Sequence, residues 1–513
     1  MKSANFAPEM FRGDEKQKTV TGAYNHVLKY MGLFGGVQGI TVLLSMVRNK
    51  FVAVLIGREG LGLIDMYNKT MDLLSNSTTF GLSLTSVRRL SELYAEGDEA
   101  SLKEQVRVVR SWSMLTALLG FVACMVFAPL LSRRLMHDPA YTKPLMLLSP
   151  LVAMLAITGA EMAILKAVRK MKALATATTV GAVTTLLTTV PMYYLWGLKG
   201  VVPALLVSTF VVMELHLYFS LKQFPWRANP FSLFTIRKGL GMLKLGISFV
   251  LAGIIMAAAE AAVRAFIVEG GGLADEGLYT AGFILTVSYA RIVMVSMDND
   301  YYPRLSACVN DVTKRNLLIN NQLEVCLLLI APFLVLFALC LPFLVKLLFT
   351  PDFMTAIPMI MAAVFSMFFK AITTPVAYIP LARGDSVTYF IVEFTYYVVF
   401  VVLMELGYAH WGLLGSGLAL TATNLFDLLM IATVYHVKYH FRFSTRAIRV
   451  GLGQGLLLAA GLFFALQENS WLKYGVGIPV FCLSAWWSIH LLLRETTFIS
   501  TIKAHFSRFD KSV

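Results

Sequence analysis

Long apolar runs alternate with short polar ones along the whole chain, and the apolar runs have the length of bilayer spans. They fall at 33–56, 64–87, 111–131, 145–165, 173–195, 200–221, 245–268, 278–300, 322–345, 355–379, 387–406, 412–436, 450–466 and 473–493. A helix needs about 20 residues to cross the hydrocarbon layer, and inside that layer each backbone amide must bond within its own segment. The pattern therefore predicts an all-α polytopic membrane protein with about 14 transmembrane helices. One run stands apart, because Val42 to Ile56 carries Arg48, Asn49 and Lys50 at its centre. A cation at bilayer depth costs roughly 2.5–3.5 kcal/mol on insertion scales, so it must face a protein-lined, hydrated interior. Two such cations call for an anion nearby.

Composition sharpens this reading. Of 513 residues, 57% are hydrophobic and 14% charged, which is more apolar surface than a soluble protein of this size needs. The formal charge of +14 could suggest nucleic acid, but the basic residues sort by loop. Arg88, Arg89, Lys103, Arg107 and Arg110 follow helix 2, Lys166, Arg169, Lys170 and Lys172 follow helix 4, and Lys222, Arg227, Arg237, Lys238 and Lys244 follow helix 6. Arg304, Lys314 and Arg315, then Arg383, then Lys438, Arg442, Arg446 and Arg449 keep the parity. The alternate loops are poor in Lys and Arg, Glu269 to Gly277 being acidic, with Arg133, Arg134 and Lys143 after helix 3 as the exception. Positive-inside bias then places both termini in the cytoplasm and accounts for most of the charge with no nucleic-acid partner. The first 29 residues lack the apolar core of a signal peptide. The cysteines Cys124, Cys308, Cys326, Cys340 and Cys482 have no metal-type spacing.

An internal repeat divides the chain. Gly62-Leu63 and Gly277-Leu278 each open a helix and Arg89-Leu90-Ser91 and Arg304-Leu305-Ser306 each close one, 215 residues apart. The same offset carries Asn49 onto Arg264. The expected organisation is a cytoplasmic segment 1–32, a first lobe 33–221 (helices 1–6), a cytoplasmic inter-lobe loop 222–244, a second lobe 245–437 (helices 7–12), and helices 13–14 with a tail in 438–513.

Helices 1, 2, 7 and 8 are also the polar ones. Asp65, Lys69 and Asp72 fall at i, i+4 and i+7, one face of helix 2, followed by Asn76, Ser77, Thr78 and Thr79. Glu260 and Arg264 sit at i, i+4 in helix 7. Arg291 in helix 8, beside Tyr289, precedes Asp298 on the same side. Blander alternatives stand beside these: Asp65 as an interfacial residue, Lys69 as a self-contained ion pair, Glu260–Arg264 as a structural salt bridge. Glu161, Glu214, Lys370, Glu393, Glu405, Asn424 and Asp427 fit packing contacts, end-snorkelling or accessory sites.

Basic groups converging at mid-membrane suit phosphate or pyrophosphate, which Arg meets with a planar fork and Lys with a point charge. Acidic neighbours can take a proton or Na⁺ and change the cavity's charge between states. There is no Walker motif, no clustered nucleophile and base, and no room for a soluble catalytic domain, so no enzyme, metal or cofactor is expected beyond an H⁺ or Na⁺ gradient.

Three motifs carry a family resemblance. Lys50 to Leu63 (KFVAVLIGREGLGL) resembles the helix 1 to helix 2 signature of Wzx-type lipid-linked oligosaccharide flippases. Tyr301 to Ser306 (YYPRLS) resembles their helix 8 ending, and Leu381 to Asp385 (LARGD) the loop after their helix 10. The resemblance runs from about residue 25 to 440 and identifies the chain as a member of the multidrug/oligosaccharidyl-lipid/polysaccharide exporter superfamily, nearest the O-antigen and enterobacterial common antigen flippases. It implies two parallel six-helix lobes in a V plus two C-terminal helices, a cationic central cavity for pyrophosphate and sugars, and a polyprenyl tail left in the lipid. Alternating access, coupled to H⁺ or Na⁺, would move the headgroup to the periplasmic leaflet of the bacterial inner membrane. The substrate would be an undecaprenyl-pyrophosphate-linked oligosaccharide for lipopolysaccharide or capsule biosynthesis, with a polysaccharide polymerase and chain-length regulator as partners and a monomeric transporter. On this reading Arg48, Lys50, Lys69, Arg264 and Arg291 bind substrate, and Asp65, Asp72, Glu260 and Asp298 tune charge or couple ions. On an ideal helix Arg48 and Lys50 lie about 200° apart. Helices 13 and 14 exceed the common twelve; peptidoglycan lipid II flippases have fourteen. Rival readings are a peptidoglycan lipid II flippase, a cation-coupled multidrug exporter of the same superfamily, a non-transporting scaffold or receptor of a glycan assembly complex, and a membrane polymerase or ligase.

Overall fold

The computed structural model describes residues 39–230, 235, 237–240, 247–288, 301–302, 304–306 and 308–495. The segment 1–32, Tyr289, Arg291 and Asp298 lie outside them. Among the described residues all regular structure is helical: α1 (39–55), α2 (Gly57–Thr79), α3 (Leu82–Glu96), α4 (Glu99–Leu135), α5 (Thr142–Leu147), α6 (Ser149–Ala167), α7 (Met171–Trp196), α8 (Val201–Leu221), α9 (Ile247–Phe283), α10 (Val312–Leu348), α11 (Ile357–Arg383), α12 (Ser386–Tyr439), α13 (Thr445–Ala465) and α14 (Ser470–Glu495). α9 and α12 are each two limbs joined at a glycine, Gly272 and Gly412.

Nine stretches among the described residues are long and apolar enough to cross a membrane, and three of these, Met171–Leu221, Val250–Val287 and Ser386–Tyr439, each break at a positive-φ glycine, Gly197, Gly272 and Gly412. With α1 and the charge-bearing α2 the count is roughly consistent with the expected fourteen. The chain is a multi-pass membrane protein.

The second span departs from expectation. The apolar run at 64–87 is not one helix, since α2 begins at Gly57 and ends at Thr79, and α3 starts afresh at Leu82. Phe80 (φ 49°) and Gly81 (φ 63°) are consecutive left-handed residues, a conformation that cannot continue a right-handed helix. Conversely α4 and α10 are each 37 residues long, well beyond the apolar cores at 111–131 and 322–345. Their extra turns begin at aspartate caps: Asp98 accepts the Ser101 amide at 3.0 Å and Asp311 the Thr313 and Lys314 amides at 3.1 Å.

The two halves repeat each other in backbone detail. Gly57 and Gly272 (φ 67° and 70°) are 215 residues apart, as are Gly197 and Gly412 (φ 56° for both). In the first half α4, α6 and α8 pack in sequence with α3 on α6 and α7 on α8; in the second, α10, α11 and α12 do so, and α13 and α14 pack on α10 and on each other. The halves meet chiefly where α2 lies along α9. The turns bearing most of the Lys and Arg lie together at one end of the bundle, called here the basic face.

Candidate functional site: an ion network between the halves

The contact of α2 with α9 holds the charges singled out in the sequence. The i, i+4, i+7 face of α2 brings Asp65, Lys69 and Asp72 against the first limb of α9, which presents Glu260 and Arg264 one turn apart. Arg264 is 1% exposed and donates Nε–H to Asp65 across the seam. The same nitrogen lies 3.5 Å from Glu276, and Nη1 donates to the Glu260 carbonyl at 3.1 Å. The guanidinium also rests against Tyr279 and Phe283, 5.5 and 5.3 Å from their ring centres. Lys69 donates to Glu260 at 2.6 Å. Asp72, one turn further, is exposed.

Two bases and four carboxylates thus share one seam, and the bases of each half pair with acids of the other. Arg264 faces no open cavity here, since three acids enclose it. Lys69 (22%), Glu260 (21%) and Asp65 (18%) keep some side-chain surface, and Asp72 is exposed.

Glu276 escaped the sequence reading, which put it in an acidic outer loop. The connection is the single residue Gly272, so Asp275 and Glu276 fall in the first turn of the second limb, where a helix N-terminus favours negative charge. Glu276 is fully buried and accepts from the Thr280 hydroxyl at 2.9 Å. The i, i+4 spacing of Glu276 and Thr280 was the available signal.

The α1 cations diverge, as their helical spacing implies. Arg48 is half-buried, its Nε enclosed without a hydrogen-bond partner. Lys50 reaches the other half, donating to the carbonyls of Lys346 (2.8 Å) and Phe349 at the end of α10. Ser77, Thr78 and Thr79 bond back to their own helix, at 2.7, 2.8 and 2.7 Å, and are locally satisfied. A second polar pair lies inside the second half, where Lys370 is 3.6 Å from Asp427 and 4.8 Å above the Tyr396 ring centre.

Two residues taken as loop charges are buried. Arg110 of α4 is wholly enclosed and forks onto Glu161 of α6, at 2.9 and 3.1 Å. Arg315 of α10, also enclosed, donates to the carbonyls of Val309 and Tyr439. Their place at the basic face made them look like solvated loop cations.

Comparison with known proteins agrees with this architecture. Residues 27–309 match the family described as "Polysaccharide biosynthesis protein". The stage V sporulation protein B of Bacillus subtilis (strain 168) is 28% identical over 120 residues, a match spanning 23% of this chain and 23% of that protein. Among solved structures, the fold is similar to a lipid II flippase MurJ in an inward closed conformation (TM-score 0.67, 16% identity, covering 90% of this chain and 99% of that one). It is also similar to an inward-facing multidrug resistance MATE family transporter of the MOP superfamily (TM-score 0.63, 15% identity, 82% and 95% covered).

Proposed function

Because the chain belongs to the polysaccharide biosynthesis protein family, we propose that it is a flippase that carries a polyprenyl-pyrophosphate-linked oligosaccharide from the cytoplasmic to the periplasmic leaflet by alternating access. The observation that carries this reading is the ion network sealed between two like halves at membrane depth. Charges in that position serve a scaffold poorly, since a buried pair rarely stabilises more than apolar packing would, whereas a pathway for a charged headgroup needs them. Lys69, part-exposed in the seam, and Arg48, half-buried with its Nε unpartnered, would meet the diphosphate, and Arg264 becomes available to it when the seam parts. Asp65, Asp72 and Glu260 would take protons or Na⁺ and so set the site's charge. Arg291 and Asp298 keep the roles that the sequence suggests. The basic face would be cytoplasmic.

Removing the gene is expected to trap lipid-linked oligosaccharide on the cytoplasmic leaflet, and Lys69→Ala with Arg264→Ala is expected not to relieve the block at normal protein level. Full relief by that variant would discard the site. A second reading has one observation in its favour: carboxylates outnumber bases in the seam, as a multidrug exporter of cationic compounds would require. Absence of trapping, with sensitivity to cationic dyes on deletion, would select it.

A further inference from the structure

At the face opposite the basic one, the two halves touch backbone to backbone. A methyl group on Gly62 would overlap the Leu273 carbonyl oxygen and stand 2.9 Å from the Gly277 nitrogen; one on Gly277 would overlap the Arg58 carbonyl oxygen. Only glycine allows α2 and the second limb of α9 to cross this closely. Two further contacts join the halves at the same face. Lys50 holds the carbonyls of Lys346 and Phe349, and His137, in the turn after α4, lies 3.8 Å from Glu269 at the end of the first limb of α9. Near the basic face the corresponding close approach is to a side chain and not to backbone: a methyl on Gly81 would overlap Cγ2 of Val250.

We propose that the Gly62–Gly277 crossing is a closed gate on the opposite face and that Lys50 is its latch. Peptide groups cannot be pushed aside, so the crossing has two states, seated or parted, with no soft intermediate. The last carbonyls of a helix have no partner within it and carry the negative end of its dipole, and Lys50 meets two of them from the other half. Parting the halves strips the ammonium from both carbonyls at once. The gate deepens the transport reading and takes its purpose from it, but its existence can be tested without any glycan.

The experiment uses the full chain with its five cysteines replaced and a single cysteine introduced by Asn76→Cys, one turn beyond Asp72 on the pathway face of α2. A membrane-impermeant thiol reagent is applied from the opposite face in oriented vesicles, with Glu468→Cys in the exposed α13–α14 turn as a control for access. Labelling at position 76 should be slow in the parent, several-fold faster with Gly62→Leu or Lys50→Met, and near the parent rate with Lys50→Arg. Unchanged rates in both variants, with the control labelled normally and cooperative thermal unfolding retained, would overturn the gate. Should those variants fail to fold, the pair His137→Cys and Glu269→Cys joined by a short bifunctional thiol reagent, with the position-76 cysteine in place, gives the converse arm. Bridging should abolish labelling at 76 from that face, and undiminished labelling would overturn the gate. Because accessibility is read directly, a failed gate and a failed glycan-export reading are separate results.

Discussion

Arg110 shows how a charge becomes affordable inside this protein. A guanidinium has five N–H donors, and here each has an acceptor. Nε and one Nη2 proton meet Glu161, the other Nη2 proton meets Ser220 at 3.1 Å, and Nη1 serves the carbonyls of Phe224 and Pro225 at 3.1 and 2.9 Å. The neighbouring residues extend the grip on the inter-lobe segment. Ser111 accepts the Asn229 amide at 2.8 Å and Trp112 donates to the Thr235 carbonyl at 3.0 Å. Removing one ion leaves the other buried and uncompensated, so Glu161→Ala should cost about 3–5 kcal/mol of stability. Arg110→Met with Glu161→Met should recover most of it, and thermal unfolding in detergent checks both. The sequence shows both residues but not their meeting, because 51 positions separate them and only the packing of α4 on α6 closes the distance.

At the scale of elements, the motifs that suggested a family turn out to be joints. In the first, Gly57 makes the α1–α2 turn in a left-handed conformation and Gly62 the crossing onto α9. In the second, the Tyr301 hydroxyl donates to the Pro375 carbonyl of α11 at 2.7 Å. In the third, Gly384 (φ 70°) ends α11 and Asp385 caps α12 through the Thr388 amide at 3.1 Å. Asp385 also accepts from Tyr439 (2.8 Å) and pairs with Lys438 (2.7 Å), which tie the start of α12 to its far end. Partial burial alone would raise this carboxyl's pKa, but Lys438, the Thr388 amide and the Tyr439 hydroxyl hold it well below the ordinary 3.8. A depressed folded-state pKa gives stability that is complete above the unfolded value and is lost as pH falls through the folded one. Asp385→Asn keeps a good cap and removes the charge. The difference in melting temperature between parent and variant should therefore be largest near pH 7 and shrink below about pH 4. Spans were legible because hydrophobic period is local. The break at Phe80-Gly81 was not, since Phe rarely takes a left-handed conformation and gives no warning. The first turns of α4 and α10 were hidden because a bilayer-length apolar window ends where the helix leaves the lipid.

For the whole molecule, the proposed alternating access requires two halves joined through buried ions to part. A guanidinium held by one partner across the seam would be left bare on opening, at a cost that would keep the protein shut. Arg264 avoids this because its acids belong to both halves: Asp65 lies across the seam, while Glu260 and Glu276 sit on its own α9. It can release Asp65 and settle on its own carboxylates without passing through an unpaired state. The six charged groups were legible from helical spacing, apart from Glu276, but this division of partners follows only from the pairing of α2 with α9. The two acids should then behave in opposite ways. Asp65→Asn removes the partner across the seam and should lower thermal stability while leaving Arg264 compensated. Glu276→Gln removes a partner within the half, so Arg264 should stay bound to Asp65 and opening should be disfavoured; each 1.4 kcal/mol of added barrier would slow the proposed export about tenfold. Export measured at matched protein level, beside melting temperature, separates the two. Equal losses of stability and export in both variants would mean that Arg264 does not exchange partners and that the seam stays closed throughout the cycle.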